Sequence, residues 1–448
     1  MNDPQNKQSA WLGDMPPAVW LAALVLGAAF FVSEHDIHLS QAVNFAETAD
    51  EMLATAEGGN PFRRAAFITL AALGIALFAL AHRTPSRGTF LGCCIYALTA
   101  LAFASVLWAD DPALCIRRLL VLGMALTAAL GIARRFNLRE LCWLALLVSG
   151  SCVLIGVGCE IVLGTFQPWT GDYRFSGTLH PNTQGAYLAT LCLSSLCLFI
   201  SEPPRRRLFG AVLVMGLVLL VLTKSRTSTA GVLLAGSTIV LLLCTPRTRL
   251  VVPALGVMLG AVAFIALLWS GSYGDRVLSK VAFLGREEET ESFSGRTTIW
   301  PVVQTYIDRQ YWFGYGYESF WTPAHIEAVT AECEWPVREA HSAYLDLWLS
   351  LGAVGCAAYV TLAIVGLAFT FAHYQRQRDA AALFWFGLLL YGLINGAFES
   401  GMMMISFPTL VIATGLFRLA FFPRPAADTV GEVWAVRPYT PLNLGAQV

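Results

Sequence analysis

The sequence predicts an all-α integral membrane fold of about twelve transmembrane helices, with one large polar loop on the outer face. That loop covers roughly residues 271–341 and is expected to contain short helices. Composition is the first observation behind this. Of 448 residues, 56% are apolar and only 13% charged. A soluble domain averages about 25% charged. Mean hydropathy is +0.61, so water cannot solvate the chain unless most of it sits in lipid. The other two observations are the spacing of the apolar runs and the placement of the cations.

An apolar run of about 20 residues crosses the hydrocarbon core. Runs lie near 17–33, 65–82, 89–108, 119–133, 140–163, 185–200, 208–223, 228–245, 250–270, 350–373, 380–398 and 402–421. The first, fourth and sixth are short. This divides the chain into helices one to nine (1–270), the large loop (271–341), helices ten to twelve (342–422) and a polar, proline-containing tail (423–448). Before Trp20 the chain carries Asp3, Lys7 and Asp14, with no basic leader and no small-residue cleavage site after Phe31. It reads as a short cytoplasmic tail before a retained helix.

Charge orients the bundle. With the N-terminus in the cytoplasm, the inner connections hold Arg83 and Arg87; Arg134, Arg135 and Arg139; Arg205, Arg206 and Arg207; Arg247 and Arg249; Arg376 and Arg378. Every inner loop is then basic, as the positive-inside rule expects, and both termini are cytoplasmic. The first outer loop is mainly acidic. Net charge is −1, and no nucleic-acid partner is expected. The eleven cysteines form no CxxC pair. They read as small apolar packing residues, not as a zinc site or disulfide framework.

Several cations fall on the other side: Arg63, Arg64, Arg117, Arg118, Arg174, Lys224, Arg226, Arg296 and Arg338. Cations at membrane level are costly and are usually paired or functional. The turn Thr223-Lys224-Ser225-Arg226-Thr227-Ser228-Thr229 sits between two apolar helices. Its hydroxyls and cations could cradle phosphate oxygens, Arg226 by its fork and Lys224 as a point charge. The plain alternative is a snorkelling surface turn. Ser294 and Gly295 mark a helix start that places Arg296 in a first turn, where the helix dipole disfavours a cation. His341, where the loop re-enters the membrane, can act as a general base or be a satisfied interfacial residue. The segment from Trp312 to Phe320 holds Gly314-Tyr315-Gly316 and suits an interfacial belt or a sugar platform. The loop Arg174–Gly185 caps the sixth run, with His180 read as a loop residue. His35 and His38 form an HxxH-like pair in the acidic first outer loop, where a metal could bind, but none is expected.

Together these elements resemble the O-antigen ligase and polymerase family of polytopic membrane glycosyltransferases. The resemblance rests on the order of the third to twelfth runs, Trp108-Ala109-Asp110-Asp111-Pro112 and the Arg174–Gly185 loop. It also rests on Lys224-Ser225-Arg226, Gly295-Arg296, Gly314-Tyr315-Gly316, and Ala340-His341 leading into Leu351-Gly352-Ala353-Val354-Gly355. The family commonly has Asn after the loop His, where this chain has Ser342.

The resemblance implies a GT-C-like helical fold in the bacterial inner membrane. It implies a glycan donor on undecaprenyl pyrophosphate and an acceptor hydroxyl on lipid A–core, at the periplasmic face. Arg226 and Arg296 would bind the pyrophosphate, and His341 would take the acceptor proton. Lys224, Arg174, Arg338 and Tyr315 would bind substrate. The reaction would invert the anomeric centre and need no cofactor or metal. A polymerase or protein O-oligosaccharyltransferase of the same family shares this chemistry. A transporter or flippase for the same lipid-linked sugars would also need outward cations and many helices. Its polar groups more often sit at the midplane of broken helices, whereas here they gather in a long loop.

Overall fold

The computed structural model describes residues 15–34, 60–86, 88–170, 173–243, 296–333 and 336–423. Among these the chain forms thirteen α-helices and no strand. They are α1 (Pro17–Glu34), α2 (Pro61–Leu80), α3 (Phe90–Ala104), α4 (Pro112–Arg135), α5 (Leu138–Val162) and α6 (Pro181–Ser201). There follow α7 (Arg206–Leu222), α8 (Arg226–Leu243), α9 (Arg296–Arg309), α10 (Pro323–Cys333), α11 (Ala343–Gln377), α12 (Ala381–Asn395) and α13 (Phe407–Phe421).

Eight helices are long and apolar enough to cross a membrane: α1 to α6, α8 and α11, with α3 extended to Leu107. Helices α7, α12 and α13 are shorter, at 17, 15 and 15 residues, but coincide with expected runs. The expected run 250–270 lies outside the described residues, as do His35, His38 and the tails.

The expected and observed boundaries differ for a physical reason. The runs near 65, 119 and 185 begin at Pro61, Pro112 and Pro181, each after a polar cap. Proline at the first helical position lacks only an N–H that has no intrahelical partner there, and the preceding side chain caps the next donors. Asn60 accepts from Phe62 and Arg63, and Asp111 accepts from Leu114 at 2.9 Å. The helices therefore extend past their apolar stretch, and Arg63, Arg64, Arg117 and Arg118 lie on added helical turns.

Neighbouring helices build the bundle: α6 lies antiparallel on α5 and α7, and α12 antiparallel on α8, α6 and α11, whereas α2 and α13 lie parallel to α4, their C-termini at one end with its own. Helix α6 is the most enclosed of the eight spans. Around it Tyr187, Phe209, Trp385, Tyr391 and Phe407 are buried. Leu21, Leu24, Ile75, Leu154, Val218, Leu233 and Ile364 point outward and exposed, as lipid-facing side chains do. The crossing of α2 and α4 needs glycine on both sides. A Cβ on Gly74 would meet the Thr127 carbonyl oxygen at 2.5 Å, and one on Gly131 would collide with the Gly74 carbonyl. Small residues let membrane helices approach this closely.

The two ends of the bundle differ. At one, Arg83 donates to Phe136 O at 2.8 Å, and Arg134 donates to Arg83 O and Phe78 O. Arg139 pairs with Glu202 there, and Ser86 N donates to Phe421 O at 2.7 Å. Arginines thus satisfy the carbonyls that helix C-termini leave unpaired. Among the described residues, the connections expected to be basic that hold Arg83, Arg134 and Arg139, and Arg205 share this end, while Arg87, Arg247 and Arg249 lie outside the described residues. The other end gathers Tyr187 on Glu34, Arg174 on Thr223 and Asn182 on Glu399. Helix α8 runs away from that second end, from Ser228 beside Asn395 to Ile239 beside Gly387. Arg296 begins α9 back at it, on Phe398 O.

Replacing Gly131 by Leu forces the α2–α4 crossing apart, at a cost of about 1–3 kcal/mol. Gly158→Leu, where a Cβ meets nothing within 4 Å, is the control. Thermal unfolding of the purified protein should show a lower midpoint for Gly131→Leu alone. Equal midpoints would mean that the crossing is not tight.

Candidate functional site

Glu160, near the C-terminal end of α5, is buried and builds the segment that follows. Its carboxylate accepts from Tyr173 Oη at 2.5 Å, Ser176 N at 3.0 Å and Gly177 N at 2.7 Å. Phe175 N donates to Leu222 O at 2.8 Å. A loop with few helical bonds of its own is thereby fixed against α5 and α7, and Arg174 is aimed across the bundle end. Its Nε donates to Thr223 O at 2.9 Å and a terminal nitrogen to Asn182 Oδ1 at 2.9 Å.

Asn182 passes the chain on. Its amide nitrogen donates to Glu399 Oε1 at 2.9 Å. The same oxygen receives Arg296 Nη2 at 2.9 Å, and Arg296 Nε donates to Phe398 O at 3.0 Å. Arg174, Asn182, Glu399 and Arg296 thus form one continuous hydrogen-bonded chain, drawn from the 173–180 loop, α6, the α12–α13 connection and α9. Arg226 opens α8 within electrostatic reach of Arg174. Among the described residues it pairs with no carboxylate. The first turns of α6, α8 and α9 face this cluster, and helix N-termini favour anions.

His341 completes it. Its Nδ1 lies 2.9 Å from Glu339 Oε1. A carboxylate only accepts, so Nδ1 carries the hydrogen and Nε2 is the basic nitrogen of the neutral ring. Burial favours the neutral ring. The hydrogen bond and charge of Glu339, with Glu399 behind, outweigh it and hold the His341 pKa above its ordinary value. For Glu339, burial is likewise outweighed by His341 and Arg338, and its pKa is held low. Burial pushes Glu399 up, with Arg296 only partly opposing it. His341 and Lys224 both have positive φ, at 50° and 52°. Such backbone in a non-glycine residue persists only where its surroundings enforce it, and it clusters at functional sites.

The structure therefore brings Arg174, Arg226, Arg296 and His341 together. Arg338 is exposed at the edge, close enough to bear on His180 and Glu339. Lys224 sits in the turn below Arg174, one residue beyond Thr223. Tyr315 is placed elsewhere, buried in the loop's own core with its hydroxyl on Tyr306 O at 2.8 Å. His180 caps α6, accepting from Asn182 N at 3.3 Å. Sequence reasoning assigned no role to Asn182, Glu160, Glu339 or Glu399. The signal was thin, because an acid at a span end looks the same whether solvated or enclosed.

The loop is folded around these residues. Helices α9 and α10 with Tyr315, Phe320, Val337 and Leu349 make a separate apolar core. The aromatic segment splits in two: Tyr311, Trp312 and Phe313 are exposed, while Tyr315, Tyr317 and Phe320 are buried. Helix α11 is broken at Gly352, with φ 66° and ψ −168°. Its first piece belongs to the loop, so the span expected from 350 begins at Ala353. The break admits the backbone of Trp312 and Phe313 against Gly352. Asp346 in that first piece accepts from Trp321 Nε1 at 2.9 Å and Ala340 N at 3.1 Å, and Ser400 donates to its other oxygen. The segment before His341 is thereby clamped.

A helical membrane protein whose cations, histidine and carboxylates converge at one end of the bundle is the class this fold and site define. Residues 211–360 match the family model described as O-Antigen ligase, the family that the sequence resembles. The match spans Lys224, Arg226, Arg296, Tyr315, Arg338 and His341. No curated protein matches the chain.

Glu160→Ala leaves Ser176 N and Gly177 N without an acceptor, at about 1–3 kcal/mol for each group. The expected outcome is a lower unfolding midpoint and faster proteolysis between 165 and 180. An unchanged digestion pattern would show that the carboxylate does not hold this loop.

Proposed function

We propose that this chain is a membrane glycosyltransferase of the O-antigen ligase type. It transfers a glycan from undecaprenyl pyrophosphate to a sugar hydroxyl of lipid A–core, at the periplasmic face of the bacterial inner membrane with both termini cytoplasmic. One observation carries the reading: a carboxylate-held histidine, Glu339–His341, stands beside the cations Arg174, Arg226 and Arg296 at the bundle end opposite the basic connections. The matched segment supplies the histidine and two of the three arginines.

The chemistry follows from the groups. His341 Nε2 takes the acceptor hydroxyl proton, and the oxygen attacks the anomeric carbon opposite the diphosphate. The carbon–oxygen bond to the diphosphate breaks, and its electron pair stays with the leaving oxygen. The anomeric centre inverts. Arg226 and Arg296 stabilise the charge developing on the diphosphate, with Arg174 and Lys224 close by. Guanidinium forks match phosphate oxygens and can neutralise this leaving group without a metal. Glu339 fixes the ring and stabilises the imidazolium that forms. The lipid tail stays among the helices while the sugar projects toward the loop core of α9 and α10. Acceptor choice among lipid A–core, a second lipid-linked repeat and a protein hydroxyl belongs to that loop.

The test is transfer by purified protein from synthetic undecaprenyl-pyrophosphate glycan, with EDTA present. Arg226→Ala, Arg296→Ala and His341→Ala should each lower kcat/KM by about 10²–10³-fold. Full transfer by all three variants would remove the assignment. Movement of lipid-linked glycan across a liposome bilayer, without transfer, would make the chain a transporter. Cysteine labels in 296–341 reacting only from the cytoplasm would reverse the orientation.

The pH profile gives a further check. The base must be neutral, so activity falls as pH drops through the raised His341 pKa. Glu339→Gln removes the main force raising that pKa, so the acid limb should move to lower pH as the maximal rate falls. An acid limb that stays in place would separate His341 from proton transfer.

A further inference from the structure

We propose that Glu399 is a displaceable counter-ion: its carboxylate occupies the cation cluster when no substrate is present and yields its place to a substrate diphosphate. The inference rests on the transferase reading and names a positioning residue within it.

Glu399 is 8% exposed and lies between α12 and the short 3-10 turn Ser400–Met402. Two donors from different elements, Arg296 Nη2 and Asn182 Nδ2, fall on the same oxygen, Oε1, each at 2.9 Å. That oxygen is an acceptor-only anionic group bridging a guanidinium and an amide, as a phosphate oxygen would be. Through Asn182 the bridge reaches Arg174, which also feels Glu399 directly. Arg174 and Arg226 are like charges near one another, and Arg296 is almost enclosed, its side chain 11% exposed. Enclosed cations need a counter-charge, and removing it leaves an uncompensated buried charge.

A diphosphate entering this cluster brings the same counter-charge again. It and the Glu399 carboxylate cannot both lie against Arg296 without repulsion. The backbone of Glu399 is held independently of its carboxylate, since Ala343 N donates to Glu399 O at 3.2 Å and Ser400 is tied to Asp346. Side-chain rotation therefore suffices to clear the position. Burial raises the Glu399 pKa, which eases its neutralisation as a second anion arrives. The exchange keeps Arg296 and Arg174 in place before substrate binds, and it hands them over already oriented.

The experiment measures inorganic pyrophosphate binding by calorimetry, on the full chain in lipid nanodiscs, alongside the transfer assay. Glu399→Gln keeps the shape but removes the competing charge. It should bind pyrophosphate on the order of tenfold more tightly. It should also lower KM for the donor while reducing kcat through slower release. Glu399→Asp should restore wild-type affinity.

Equal or weaker pyrophosphate binding by a folded Glu399→Gln protein overturns the proposal, because a purely structural ion pair would give that result. Should Glu399→Gln fail to fold, Asn182→Asp decides. It adds a second carboxylate to the bridge and should weaken pyrophosphate binding on the order of tenfold. Unchanged affinity there also overturns the proposal. Wild-type protein that binds pyrophosphate but transfers no glycan would sink the transferase reading and leave the counter-ion standing. No pyrophosphate binding by either wild type or Glu399→Gln overturns the counter-ion, and the transferase reading then stands or falls on the transfer assay alone.

Discussion

An acid at the rim of a membrane bundle must be solvated or supplied with donors. Glu160 takes the second course, and the polar end of the structure depends on it. Its carboxylate gathers Tyr173, Ser176 and Gly177 and turns an irregular segment into a fixed wall. That wall aims Arg174 at Thr223 and Asn182. Asn182 meets Glu399, and Glu399 meets Arg296 from the far side of the loop. Each link uses a donor or charge that burial would otherwise leave unpaired, so placement of one residue constrains the next.

The spans were legible from the apolar runs because a membrane helix must satisfy all its backbone bonds internally and cover them with hydrocarbon. Eleven of the twelve runs coincide with helices among the described residues. Their ends were less legible. Hydropathy follows the lipid-soluble stretch, whereas a helix stops where its caps stop, at Pro61, Pro112 and Pro181. Broken α11 shows the same limit in reverse. Its apolar character continues through Gly352, and only a positive φ and the backbone of Trp312 reveal the corner.

The cations were legible as exceptions to a charge rule, and four of them meet or adjoin at one end. Their partners were not. Asn182 is an unremarkable residue after a proline, and Glu399 stands at a span end like any interfacial acid. What makes them part of the cluster is contact between elements more than a hundred residues apart, such as Asn182 with Glu399. No local pattern encodes that. Tyr315 stands apart from that cluster. An aromatic between glycines suggests a platform, but here the glycines let the chain turn the ring inward, onto the Tyr306 carbonyl.

The described part of the loop, from Arg296 to the corner in α11, has an apolar core of its own, built from Ile299, Val303, Tyr306, Phe320, Val329 and Leu349. It meets the bundle through a glycine corner, a few polar ties and a small second cluster in which Tyr317 and Leu347 pack with Ala102, Cys115, Leu119 and Leu351. Such an arrangement is modular in inheritance. Side chains on the outer surfaces of α9 and α10 can be exchanged without repacking the bundle, because the two cores answer to separate constraints. A lineage could retain the cationic end while redrawing the surface above it, so drift in the one need not carry drift in the other.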